Sequence, residues 1–273
     1  MTYRSILTLL DNEPECDLRI RTALALGTIT RSHLVGVAPS RAFEQVPESA
    51  GRESPAAQAR LAFAARAALK FDVACTRAGI GSFDSLVEDL DPLEALARHV
   101  HASDLAILTQ PDSLVEARRP HSFIEEAVLA SARPLLVLPR SDAWSACGRA
   151  ILVAWDGSRE AMRAIVDALP MLRLAHDVHL VGWHRDSPAE RDRLSSRLAS
   201  AWSWLKRHDV SALVHLETCE ADVATSMLMR AADLGCDMIV MGAYGPSRLG
   251  EHGAVSVSRR VLAAATVPVM LSH

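Results

Sequence analysis

The sequence predicts an α/β protein of two tandem doubly wound domains, each with a five-stranded parallel sheet. Three observations lead there: an ordered set of apolar segments occurs twice, short β-branched runs alternate with longer stretches of helical spacing, and glycine-bearing turns follow runs of strand length. The repeat can be read directly. Ile6-Leu-Thr-Leu-Leu-Asp11 returns 145 residues later as Ile151-Leu-Val-Ala-Trp-Asp156. Ser103-Asp-Leu-Ala-Ile-Leu-Thr109 returns 133 residues later as Cys236-Asp-Met-Ile-Val-Met-Gly242, and Arg133-Pro-Leu-Leu-Val-Leu138 returns 134 later as Val267-Pro-Val-Met-Leu-Ser272. The first spacing exceeds the second by 12, so the first copy carries an insertion, and the polar stretch 41–54 with Pro47 and Gly51 is its natural place. The boundaries follow as 1–142 and 148–273, with the junction inside 140–148.

The elements follow in order. In the first copy, strands are expected near 4–9, 33–37, 83–87, 105–108 and 135–138, with helices near 16–26, 55–78, 92–101 and 123–132. In the second copy, 150–154 is a continuous apolar run, as suits a strand covered on both faces. Asp156-Gly157-Ser158 turns the chain, and Ser158 can cap a helix over 159–169. A strand over 178–183 precedes a helix over 189–208, where Leu194, Leu198, Trp202 and Leu205 form one apolar stripe. A strand at 212–216, a helix at 221–234, a strand at 237–241, a helix near 256–265 and a strand at 268–271 complete the copy. In such sheets the ligand crevice lies at the carboxyl ends of the strands.

Composition narrows the function classes. The chain has 273 residues, 49% of them hydrophobic and 23% charged, which excludes bulk disorder. Lysine and arginine number 29 against 33 acidic residues, so no strongly basic surface for nucleic acid is expected. Five scattered cysteines form no C-x-x-C pair, a pattern of reduced thiols rather than of a zinc site or a disulfide framework. No run of about eighteen apolar residues suggests a membrane span, and a cytoplasmic location is expected. The histidine spacings give no shared metal site: His99 and His101 fall on different sides of a helix, and His179 and His184 have opposite parity along a strand. Gly-x-Ser-x-Gly is absent, so no hydrolase elbow and no catalytic residue can be assigned.

One segment carries chemistry. Gly242-Ala-Tyr-Gly245 through Gly250, Gly253, Val255 and Ser256 joins a strand end to a helix start. Glycines allow close backbone approach, and a helix N-terminus offers free N–H donors, which together suit a phosphate. Arg248, His252, Arg259 and Arg260 add positive potential, and Asp156 would face the same crevice as an acceptor for ribose hydroxyls. The plainer reading is a flexible turn, with Asp156 serving the next helix.

The Asp156-Gly-Ser turn, the Gly242-x-x-Gly245 loop and the terminal Val-Pro-Val run resemble the universal stress protein family, in tandem form over essentially the whole chain. The resemblance implies a Rossmann-like fold of the adenine nucleotide alpha hydrolase-like kind, with the two copies forming an intramolecular pseudo-dimer that can pair again as a homodimer. It also implies a non-catalytic stress-response role, with ATP or AMP as ligand and protein partners that the sequence does not identify. The nucleotide-binding members carry Gly-x2-Gly-x9-Gly-Ser/Thr. Gly242, Gly245 and Ser256 match, whereas Val255 replaces the third glycine; Gly253 is the residue that could compensate. Asp156 takes the ribose-contacting position and Trp183 lies toward the adenine edge, where packing is the competing reading. In the first copy, Asp11 matches Asp156, but Thr109 and Asp112 replace the first two glycines, so no nucleotide is expected there. Two other functions remain in view: a nucleotide-free scaffold, which Val255 favours, and an ATP-hydrolysing enzyme, which the absence of lysine from 242–258 disfavours.

Overall fold

A computed structural model describes residues 2–41, 54–110, 122–140, 147–185, 187–219, 222–243 and 257–273. The chain divides into two compact units, Thr2–Arg133 and Pro134–His273. The N-terminal unit runs β1 (Ser5–Leu9), α1 (Pro14–Thr30), β2 (His33–Pro39), α2 (Pro55–Arg77), β3 (Phe83–Glu88), α3 (Pro92–His99), β4 (Leu105–Thr109) and α4 (Phe123–Ser131). Its strands lie in the order β3-β2-β1-β4, all parallel. The C-terminal unit runs β5 (Leu135–Leu138), β6 (Ala150–Ala154), α5 (Arg159–Leu172), β7 (Asp177–His184), α6 (Pro188–Arg207), β8 (Leu213–Thr218), α7 (Val223–Asp233), β9 (Met238–Gly242), α8 (Val257–Ala264) and β10 (Val269–Ser272). Its order is β5-β10-β9-β6-β7-β8.

Every expected strand and helix is present, with ends shifted by a few residues. Local chemistry explains the starts. Ser158 accepts from the Ala161 N–H at 3.1 Å to open α5, Asp91 accepts from Leu93 and Glu94 to open α3, and Asp222 accepts from Ala224 and Thr225 to open α7. The central strands are apolar on both faces: Ile151, Leu152, Val153, Ile239 and Val240 are all fully buried, each contributing about 1.5–3 kcal/mol. The edge strands β3 and β8 are only partly covered.

The fifth strand of the first copy, β5, is grouped with the C-terminal unit, where it pairs antiparallel with β10, Val137 opposite Val269 and Leu135 opposite Leu271. All four β5 side chains are buried, so the strand needs cover on both faces and also closes the edge that β10 would otherwise leave bare. The expected stripe on α6 is corrected. Leu194, Leu198 and Leu205 are buried as read, but Trp202 is half-exposed and Ala201 takes the buried place. The Trp202 ring lies at the margin because its indole N–H donates to the Ala212 carbonyl at 3.0 Å.

Candidate functional site

Three sequence-predicted residues meet at the carboxyl ends of three neighbouring strands. The register of β6 with β9 (Val153 opposite Val240) and with β7 (Ala154 opposite Val181) brings Asp156, Gly242 and Trp183 to one end of the sheet. The chain leaves β6 outward to β7 and returns inward to β9, which makes this the point where the winding reverses. Gly245, Gly253, Val255 and Ser256 lie outside the described residues, as do Arg248 and His252.

Asp156 is exposed just beyond β6. One carboxylate oxygen, Oδ1, accepts the Ser158 N–H at 2.8 Å, while its main-chain carbonyl accepts from Arg197 at 3.2 Å. Among the described residues nothing donates to the other oxygen, Oδ2. Half of the carboxylate thus shapes the turn before α5, which is the plainer of the two sequence readings of Asp156. The turn is tight, with Gly157 at φ +79°, and a Cβ there would come within 2.5 Å of the Arg197 side chain.

Gly242 is the last residue of β9. A Cβ at this position would sit 2.6 Å from the Ala161 nitrogen and 2.6 Å from the Glu160 carbonyl carbon. The first turn of α5 thus rests on the backbone of Gly242, and this contact alone demands glycine. The contact also brings the positive end of α5 to the crevice. Trp183 is half-buried in β7 with Glu217 of β8 as its register partner. Of the basic residues expected to add positive potential, Arg260 is engaged: its Nη2 lies 2.6 Å from Asp222. Hydrogen bonding from Thr225, ahead of the other causes, holds the Asp222 carboxyl below its ordinary range.

Sequence reading missed a second polar cluster, on β7, β8 and α7. His179 Nδ1 and His215 Nε2 are 3.1 Å apart, Arg230 Nη2 lies 3.1 Å from His215 Nδ1, and Arg230 Nε lies 3.0 Å from Glu217. The arginine is a donor only, so His215 accepts at Nδ1 and donates from Nε2 to His179. Burial, then the Arg230 charge, pushes the His215 pKa down; burial does the same for His179, against the opposing pull of Asp177. The pair is invisible to spacing rules because it depends on strand register. His99, at the end of α3, meets Glu88 at 2.7 Å.

The universal stress protein family model matches residues 148–273. No curated protein matches the chain. A universal stress protein from Archaeoglobus fulgidus superposes with a TM-score of 0.75 at 14% identity, over 98% of this chain and 95% of that one. A functionally unknown protein from Pseudomonas aeruginosa superposes at 0.62 with 17% identity, over 99% and 92%. These likenesses show the fold along both halves. No helix among the described residues is long and apolar enough to cross a membrane.

Proposed function

We propose, from the match of residues 148–273 to the universal stress protein family model, that this is a non-catalytic, cytoplasmic stress-response protein whose C-terminal unit binds an adenine nucleotide, ATP or AMP. One observation carries the reading: Asp156, one of whose carboxylate oxygens takes no hydrogen bond from any described residue, stands at the same strand ends as Gly242, where the winding of the sheet reverses. Asp156 Oδ2 is the acceptor for ribose hydroxyls and Trp183 flanks the base, while the phosphate contacts that the sequence assigns to the glycine-bearing segment after Gly242 lie outside the described residues. Binding then selects among conformations or protein partners by differential affinity.

Isothermal titration of the full chain with ATP and with AMP tests this. The expected result is saturable binding with one site per chain, weakened about tenfold or more in Asp156→Ala, since a hydrogen-bonded charged acceptor is worth roughly 1.5–3 kcal/mol. Absence of binding at millimolar ligand rejects it. Val255 in place of a motif glycine favours a second reading, a nucleotide-free scaffold. A wild type that binds nothing, with binding gained in Val255→Gly, selects that alternative. Steady ATP turnover that Asp156→Ala abolishes would overturn the non-catalytic assignment.

A further inference from the structure

The N-terminal unit repeats the turn around Asp156 and adds a residue to it. Asp11 Oδ1 accepts the Glu13 N–H at 3.0 Å, the same two-residue turn that Asp156 Oδ1 makes with Ser158. The second oxygen differs. Asp11 Oδ2 lies 2.5 Å from Arg19 Nη2, in an ion pair whose arginine side chain is only 6% exposed. The same guanidinium donates from Nη1 to the Thr109 hydroxyl at 2.7 Å and from Nε to the Leu9 carbonyl at 2.9 Å. Its three contacts are the end of β1, the end of β4 and the carboxylate between them, which match Ala154, Gly242 and Asp156 in the other copy.

The C-terminal counterpart of Arg19, 145 residues on, is Ala164, buried at 1% exposure with no group to donate. Gly242 likewise offers no hydroxyl where Thr109 does. The three positions therefore differ as a set. Arginine, threonine and an aspartate paired through both oxygens occupy the first copy; alanine, glycine and an aspartate bonded through one oxygen among the described residues occupy the second.

We propose that Arg19 is an internal ligand of the N-terminal crevice, a guanidinium held where a solute cation would otherwise find the Asp11 carboxylate, the Thr109 hydroxyl and the Leu9 carbonyl. A guanidinium with three good acceptors in a mostly buried place is not displaced by a solute, because the solute must break a charge-assisted pair and leave a buried cation without its partners. This occupancy does not rest on the nucleotide reading above.

The test contains no nucleotide, so its outcome is independent of whether the C-terminal unit binds one. Arg19→Ala in the full chain leaves a hollow lined by the Leu9 carbonyl, the Thr109 hydroxyl and the Asp11 carboxylate. The thermal midpoint should fall by about 5 °C, and millimolar methylguanidinium should restore at least half of the loss. Sodium chloride at equal ionic strength should not, and neither the wild type nor Arg19→Ala/Asp11→Asn should respond. An unchanged midpoint in Arg19→Ala, or equal responses of variant and wild type, overturns the proposal. If Arg19→Ala does not fold, hydrogen exchange in the wild type decides: the Arg19 Nε–H should exchange slowly, and Asp11→Asn should accelerate it about tenfold or more. Free exchange in the wild type overturns the proposal equally.

Discussion

Gly242 can take no side chain without moving backbone, since the atoms a Cβ would strike belong to the first turn of α5 rather than to a flexible side chain. Gly242→Ala should therefore cost about 1–3 kcal/mol, read as a lowered urea midpoint with unchanged slope. A loss below about 0.5 kcal/mol would show that the contact gives way freely. The histidine pair makes a pH prediction. Both histidines are held below their ordinary pKa in the folded state, so the unfolded chain takes up protons first as pH falls. The pair's contribution is complete above the unfolded value of about 6.5 and is lost as pH drops toward the folded values. Arg230 opposes protonation, while Asp177 favours it at His179 and Glu217 at His215. Denaturation between pH 8 and pH 5 should show the wild type losing more stability than His179→Gln/His215→Gln, and equal slopes would refute the assignment. At this scale, Asp156 and Gly242 were legible because each belongs to a short local pattern. His215 and Arg19 were not, because their partners are set by strand register and by which face of a helix meets the sheet.

Elements start where the sequence marks them, and one marker serves both copies. Asp104, before β4, accepts the N–H groups of Arg4 and Ser5 at 2.7 and 3.1 Å. Asp237, before β9, accepts those of Gly148, Arg149 and Ala150 at 2.9, 3.0 and 3.2 Å. The Ser-Asp and Cys-Asp steps that reveal the repeat are thus clamps between the starts of neighbouring strands, not parts of the ligand crevice. Asp237→Ala strands three donors and should cost about 2–3 kcal/mol in equilibrium denaturation, with Asp104→Ala costing less. Equal and negligible losses would show that water replaces the carboxylate. Helix and strand placement was readable throughout, since capping residues and apolar runs are local. The margin position of Trp202 was not, because an indole N–H with an acceptor in reach overrides the apolar stripe.

For the whole molecule, the repeat and the folding units end at different places. The sequence copies part between 140 and 148, whereas the compact units part at Arg133–Pro134. Periodicity cannot show this: Leu135–Leu138 reads as an ordinary strand, and its antiparallel pairing with Val269–Leu271 is a tertiary contact. A fragment starting at Pro134 keeps β10 paired and should therefore unfold at a higher urea midpoint than one starting at Gly148, which leaves the edge of β10 bare. Identical behaviour of the two fragments would contradict that pairing.

The placement of β5 bears on whether the two copies can be parted. Once a strand from the first sequence copy covers the edge of the second, a break at the repeat boundary strips β10 of its partner, and the cost of separating the copies falls on the later half.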